Sequence, residues 1–214
     1  MKKFLKIILT IFIFLFILFC INLTRNFIIL NNIYKTQSDF FANLDNYYFT
    51  EEFGTVSLFN TRKIQLYKDN TYLCKTITNN KEDYIWLNKN TKEFIFSDNS
   101  VINPNYETTL NFLENSLIFI NYFNENSIKL NDLVYSNLFN ILTLNNTTDW
   151  LQEQTYIIRL KNSNFEFYIG KNSSLIRAIK YNDSSGIGGY IFKIEKNVVT
   201  SEDIKKPEFN KNTT

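Results

Sequence analysis

The chain opens on a long apolar run and then changes rhythm four times. From Ile7 to Leu23 nearly every residue is apolar, and Lys2, Lys3 and Lys6 precede the run. Seventeen helical residues span about 26 Å, and a start at Phe4 gives about 30 Å, the thickness of a hydrocarbon core. From Thr24 to about Tyr48 the pattern is helical, with Ile28, Ile29, Ile33, Phe40, Phe41 and Leu44 between polar residues. The first helix either runs on into this segment or breaks near Asn31–Asn32, with Ser38 or Asp39 able to cap a second piece.

From about Tyr48 to Ser97 the period becomes two. "TVSLFN", "RKIQLYKD", "TYLCKTIT", "EDYIWLNK" and "KEFIFSD" are short runs rich in aromatic and β-branched residues. Asp69–Asn70, Asn79–Asn80 and Asn88-Lys-Asn90 lie between them and predict turns, since Asn and Asp tolerate the left-handed conformation. Such spacing predicts an antiparallel meander. Asn103–Pro104 then opens a helix, with Tyr106, Leu110, Leu113, Leu117 and Ile120 on one stripe. A second helix is predicted from about Asn131 to Leu144. Strands resume near Trp150: "TYIIRLKN" and "FEFYIGK" form a hairpin over Asn162-Ser-Asn164, and "SLIRAIKYN" pairs with "GGYIFKIEK". The tail "NVVTSEDIKKPEF" is expected along a sheet edge.

The order predicts an α+β fold: a curved antiparallel β-sheet, a half-barrel, with helices packed on one face, preceded by an N-terminal transmembrane helix. The expected divisions are 1–25 (cytoplasmic tip and transmembrane helix), 26–48 (juxtamembrane helical segment), 49–209 (extracytoplasmic α+β domain) and 210–214 (disordered tail).

Composition sharpens the location. Secretory apolar cores are shorter and end in small residues at an A-x-A-like site, which is missing here. Phe19 stands before Cys20 where a lipoprotein signal wants a small residue. An uncleaved anchor with Cys20 facing lipid is therefore favoured over a cleaved signal and over a lipoprotein. The leading lysines favour a cytoplasmic N-terminus, with the bulk of the chain outside. Residues 1–25 hold four basic residues and no acid, so of 23 basic residues 19 remain against 21 acidic ones. The outer portion thus has a net charge of −2 and no electrostatic footprint for nucleic acid. Asn occurs 32 times against 5 Gly, 2 Pro and no His, the signature of an AT-rich bacterial genome. The resulting N-x-[ST] triplets follow from Asn density and are not read as glycan sites.

The layout resembles the lipoprotein-carrier superfamily (LolA/RseB-like) over about 38–209. "SDFFANLDNYYF" is similar to its opening helix running into the first strand, and "LYKDNTYLCKTITNNKEDYIWLNKNTKEFIF" to its paired strands. "SLIRAIKYN" with "GYIFKIEKNVVTSEDIKKPEF" looks like its closing hairpin and tail. The resemblance implies a half-barrel whose concave face is plugged by helices and holds lipid. Soluble carriers of that kind are released by a cleaved signal, whereas this chain is expected to stay tethered.

Chemistry is sparse. Without His there is no Ser-His-Asp or Cys-His site and no His ligation of zinc. Cys74 lies in an alternating run and reads as a small core residue. Glu51–Glu52, Glu82–Asp83 and Glu202–Asp203 are adjacent pairs, and neighbours on a strand point to opposite faces, so none forms a dyad. "GIGG" at 186–189 lacks the helix a phosphate loop needs. No catalytic, cofactor or metal residue is assigned. What remains is apolar mass, with aromatics at 17% of residues. Tyr84, Trp86, Phe94, Phe96, Phe165 and Phe167 are either core under the helices or the lining of a groove for an acyl chain or apolar peptide.

Two functions stay open. One is a membrane-anchored, non-enzymatic extracytoplasmic binding or sensing module, its partners the bilayer along residues 4–23 and a lipid or apolar ligand. The other is a structural component of an envelope complex with a protein partner. An enzyme without a recognisable motif is a distant third.

Overall fold

The computed structural model describes residues 2–55, 58–97, 105–140, 142, 144–146, 152–161, 163–183 and 186–207. The predicted helix start at Asn103–Pro104, Trp150 and the 210–214 tail lie outside them.

The first helix, α1 (Lys2–Ala42), is unbroken; Asn31 and Asn32 do not interrupt it. Its first half is exposed along its whole length, while Asn26, Leu30, Ile33 and Gln37, at spacings of 4, 3 and 4, are buried in the domain. The apolar leader and the juxtamembrane segment are thus one rod.

Five strands follow: β1 (Asn46–Thr55), β2 (Leu58–Lys68), β3 (Thr71–Thr78), β4 (Lys81–Asn88) and β5 (Glu93–Phe96). Asp69 and Asn70, and again Asn79 and Asn80, carry φ values of 48, 60, 50 and 65°. Two consecutive positive φ values mark the tight hairpin turns whose twist matches that of the strands. Asn88 Oδ1 accepts the backbone N–H of Asn90 (2.9 Å) and of Thr91 (3.0 Å), closing the third turn.

The helical insert is more broken than the apolar stripe predicts. Helix α2 (Tyr106–Glu114) is capped by Asn105, whose side chain accepts the N–H of Thr108. It gives way to a 3₁₀ turn (Asn115–Leu117), with Leu113 and Ile120 still buried. Helix α3 is one turn (Tyr122–Glu125), and α4 covers Leu130–Asn137 rather than running to Leu144. The early end of α4 has a cause in α1. Asn26 Nδ2 donates to the carbonyls of Leu138 (2.9 Å) and Asn140 (2.5 Å), and Arg25 donates to that of Leu142 (3.3 Å). Those carbonyls turn toward α1 instead of continuing a helix.

The last strands are β6 (Leu144–Asn145), β7 (Thr155–Arg159), β8 (Phe165–Gly170), β9 (Ile176–Asp183) and β10 (Gly186–Lys196). All ten form one antiparallel sheet in the order β5-β4-β3-β2-β1-β10-β9-β8-β7-β6. Two meanders, β1–β5 and β6–β10, meet at a central seam between β1 and β10. The sheet is open and uncurled, its edge strands β5 and β6 unpaired with each other, and with its helices and the long apolar leading helix the chain has the α+β architecture expected.

One face carries the main core. Tyr47, Phe49, Ile158, Phe167, Ile179, Phe192 and Ile194 pack there against Leu30 and Ile33 of α1, Phe123 of α3 and Leu133 of α4. A smaller cluster continues it under α2, with Tyr72, Cys74, Leu87 and Leu113. On the other face the C-terminal tail covers part of the first meander. Val199 and Ile204 pack on Leu73 and Trp86, so the tail crosses this face instead of following an edge. An edge position would leave Leu73 and Trp86 in water; crossing buries both.

The two ends of the sheet differ. At one, Lys196 Nζ sits 4.1 Å from the Phe40 ring centre, near the C-terminal end of α1, where β1 begins. At the other, the register runs from Gly54 to Gly189, from Gly188 to Tyr181, and from Tyr181 to Phe165. The β7–β8 hairpin ends here, and Asn137 accepts the N–H of Arg159 and donates to its carbonyl. The carbonyls of Leu138, Asn140 and Leu142 then meet α1 at Arg25 and Asn26. From residue 26 to 42 α1 rises about 24 Å, close to the roughly 30 Å of ten extended residues, so helix and sheet are matched in length.

Candidate functional site

The hairpin-end part of the helix-covered face carries a graded run of aromatic rings. Phe49 and Phe192 are fully or almost fully buried and stack at 6.2 Å between centroids. Tyr190 lies 6.0 Å beyond Phe192 in a parallel stack, and Phe53 lies 4.8 Å beyond Tyr190. Phe119, from the segment after the 3₁₀ turn, covers Tyr190 at 4.6 Å. A second arm runs from Phe123 to Phe167 (5.2 Å), Phe165 (6.1 Å) and Tyr181 (6.3 Å), and meets the first at Tyr190 (6.0 Å). The rings pass from buried Phe123, Phe167 and Phe49 to half-buried Tyr190, Tyr181 and Phe165 and to Phe53, 37% exposed.

The sheet builds this rim by simple means. Inner-face positions alternate along each strand, and the pairing aligns Phe53 with Tyr190, Tyr190 with Ile179, and Phe165 with Tyr181. Gly188 stands opposite Tyr181, and a Cβ there would collide with the phenol ring and its hydroxyl. The absent side chain lets Tyr181 lie across the strand.

Two charges border the rim. Glu51 and Lys63 are directly paired across β1 and β2 on the same face. Burial pushes the Glu51 carboxyl above its usual value, and Lys63 partly offsets the shift. Lys63 Nζ donates to Ser116 Oγ at 2.6 Å and lies 4.4 Å from the Phe112 ring centre. Deeper in, Gln65 Nε2 donates to Tyr47 Oη (2.8 Å) and to the Leu113 carbonyl (3.0 Å), while Gln65 Oε1 is unpaired. Gln37 of α1 is 1% exposed, and neither polar atom of its amide has a partner. Buried amides without partners are costly, about 1–3 kcal/mol each.

The six aromatic residues singled out in the sequence do not form one lining. Phe165 and Phe167 belong to the rim. Phe94 and Phe96 pack edge to face at 5.7 Å on the same face but on the far edge strand, with Phe94 in the cluster under α2. Trp86, and Tyr84 at the same alternation, face the opposite side. There Trp86 Nε1 donates to the Ile204 carbonyl (2.9 Å), and Lys206 lies 5.7 Å from its ring centre. Sequence reading missed Phe53, Phe119, Tyr181, Tyr190 and Glu51. Alternation within a strand pairs residues at i and i+2; only cross-strand register shows which strands share a face.

Among the described residues, nothing at the rim resembles a nucleophile. Cys74 is 1% exposed, and burial pushes its thiol up to about 11, so it is a neutral core residue. Among the described residues no group of three His, Cys, Asp or Glu side chains is placed to hold a metal. Glu153 is a heavily bonded carboxylate, but its partners are the β8–β9 turn and Arg177, which makes it a structural clasp.

An open antiparallel α+β sheet, helices on one face and one long apolar leading helix define the architecture. No family model matches the chain, and no curated protein matches its sequence. Among solved structures it is similar to a DUF1329 family protein from Desulfovibrio piger. That similarity has 8% identity, covers 86% of this chain and 97% of the other, and has a TM-score of 0.24. A likeness at that level carries no argument about activity.

Proposed function

We infer that the chain is a membrane-anchored, non-enzymatic binding module whose aromatic rim takes the acyl chain of a lipid or a comparable apolar ligand. Residues 4–23 of α1 form the span, which has length and composition enough to cross a bilayer. The lysines before it favour a cytoplasmic N-terminus, and hence an extracytoplasmic domain. One observation carries the ligand reading: rings stacked from the core outward end half-exposed at a single end of the helix-covered face. A purely structural core would close over them, whereas a binding surface is apolar with a few polar groups at its border, here Glu51 and Lys63. The order of helix, strands, helices and strands also fits the lipoprotein-carrier resemblance. In this tethered form the module presents or senses a ligand and does not shuttle it.

The test uses the full chain in nanodiscs made with a phospholipid bearing a diazirine in one acyl chain. After irradiation, mass spectrometry is expected to find adducts on the peptides carrying Phe53, Tyr181 and Tyr190 as well as on α1. Adducts confined to residues 4–28 would report bulk bilayer contact alone and reject the ligand reading. In cells, a photo-reactive residue at Phe53 that captures a stoichiometric protein instead of lipid would reassign the rim to assembly of an envelope complex.

A further inference from the structure

The segment after α4 leaves apolar side chains in an unusual place. Tyr135 is 84% exposed and Phe139 69% exposed, and they lie one helical turn apart, since Leu138 still has helical dihedrals. Leu144 is also exposed. The Phe139 ring does not point away from the protein at random. It stacks at 6.3 Å, 16° from parallel, on Phe19 of α1.

Phe19 lies four residues inside Leu23, the last residue of the apolar run, or about 6 Å down the helix axis. It also continues the stripe of α1 that farther on holds Asn26, Leu30 and Ile33 against the domain. The three carbonyl contacts to Arg25 and Asn26 fix the backbone at Leu138, Asn140 and Leu142 at the upper end of the apolar run. From that level the Phe139 side chain reaches down the helix toward its N-terminus.

The geometry points to a second membrane contact: the corner after α4 inserts Phe139, flanked by Tyr135, into the outer layer of the same bilayer that α1 spans. This rests on the reading of residues 4–23 as the anchor. The depth suits it, because amphipathic surface segments bury apolar side chains about 5–10 Å into the boundary. The residue types suit it too, since an aromatic pair with one hydroxyl is favoured at that level. The occupant is lipid, since Phe139 continues the lipid-facing surface of α1. Water is an unfavourable neighbour for two large rings exposed to this degree.

The consequence is a fixed attitude. A single helix leaves a domain free to tilt, whereas two contacts on one side of α1 hold the hairpin end of the sheet toward the bilayer. That end carries Phe53, Tyr181 and Tyr190, so the rim faces the pool of its proposed ligand.

Spin-label depth measurements on the full chain in phosphatidylcholine–phosphatidylglycerol nanodiscs test this. Cys20→Ser removes the exposed thiol, and buried Cys74 stays unlabelled. Single labels are placed at Phe139→Cys, at Phe12→Cys as a hydrocarbon reference and at Glu202→Cys as a water reference. At position 139, collision with oxygen is expected to exceed collision with a water-soluble nickel chelate, as at position 12 and opposite to position 202. Nickel access at 139 equal to that at 202, with position 12 still protected, would overturn the second contact and leave the anchor intact. Nickel access at position 12 would overturn the anchor itself, and this inference with it. A label at Tyr135→Cys that followed position 202 while 139 followed position 12 would still support insertion, through Phe139 alone.

Discussion

Glu153 accepts bonds from the Asn172 N–H (2.8 Å), the Ser173 N–H (3.2 Å), Ser173 Oγ (2.6 Å) and Arg177 Nε (2.7 Å). Its side chain is only 11% exposed and that of Arg177 15%. Burial alone would raise its carboxyl, but the bonds from Ser173, Arg177 and Asn172 outweigh burial and hold it below the usual range. A carboxyl lowered in the folded state stabilises it fully above the unfolded value, and the contribution is lost as pH falls through the folded one. Glu153→Gln keeps an acceptor but strips Arg177 of its counter-charge, at a cost of about 2 kcal/mol near neutral pH. The gap between variant and parent is expected to close as pH falls below the ordinary carboxylate value, read by thermal unfolding at a series of pH values. A gap of constant size would show that charge plays no part. Gly170 makes the same point sterically, because a Cβ there would run into Glu153 Oε1 and Ser173 Oγ. Gly170→Ala is therefore expected to open the same clasp. None of this was legible in the sequence, where Glu153 lies between Gln152 and Gln154 with no local partner; the clasp comes from a turn 20 residues away.

At the scale of elements, α1 runs from its apolar leader into the domain without a break. The helical period between Thr24 and Tyr48 was plain, and so were the hairpin turns, because Asp69–Asn70 and Asn79–Asn80 mark left-handed positions through local chemistry alone. The boundaries of α1 and α4 were not plain. Residues 27 and 28 are apolar yet half exposed, so α1 is apolar on both sides, and no stripe shows where the apolar leader gives way to the domain-packed part. The shortening of α4 depends on Asn26, more than 100 residues away. Leu30 discriminates: it is fully buried on a segment that sequence alone assigns to a juxtamembrane stalk. Leu30→Ala is expected to cost about 2–5 kcal/mol of domain stability, since the cavity adds to the lost transfer energy. Chemical denaturation followed by the fluorescence of the two tryptophans, Trp86 and Trp150, measures it. An unchanged midpoint would mean that the stalk does not carry the core. The six aromatic candidates fell short for a related reason. Alternation correctly paired Phe94 with Phe96 and Phe165 with Phe167, but the faces of separate strands are fixed by register, which local pattern does not encode.

The whole sheet depends on one seam. Strands β1 and β10 are about 140 residues apart in sequence, yet they form a ladder from Tyr47–Lys196 to Thr55–Gly188. On either side lies a meander of local hairpins, legible from turn residues. The joining of first strand to last carries no local signal. Local hairpins have low closure entropy, whereas the seam closes the whole chain, so it is expected to form last and to couple the two halves. Phe192, 2% exposed, stacks on Phe49 across it and on Tyr190 toward the rim. Phe192→Ala is expected to cost about 3–5 kcal/mol. If the seam makes one cooperative unit, the variant unfolds in a single transition at a lower midpoint, with hydrogen exchange accelerated in β3 and β8 together. Two separated transitions, with one meander keeping its protection, would mean that the halves are independent domains. The rim would then be a junction between two bodies, and its stacked rings a by-product of docking instead of a surface held ready for a ligand.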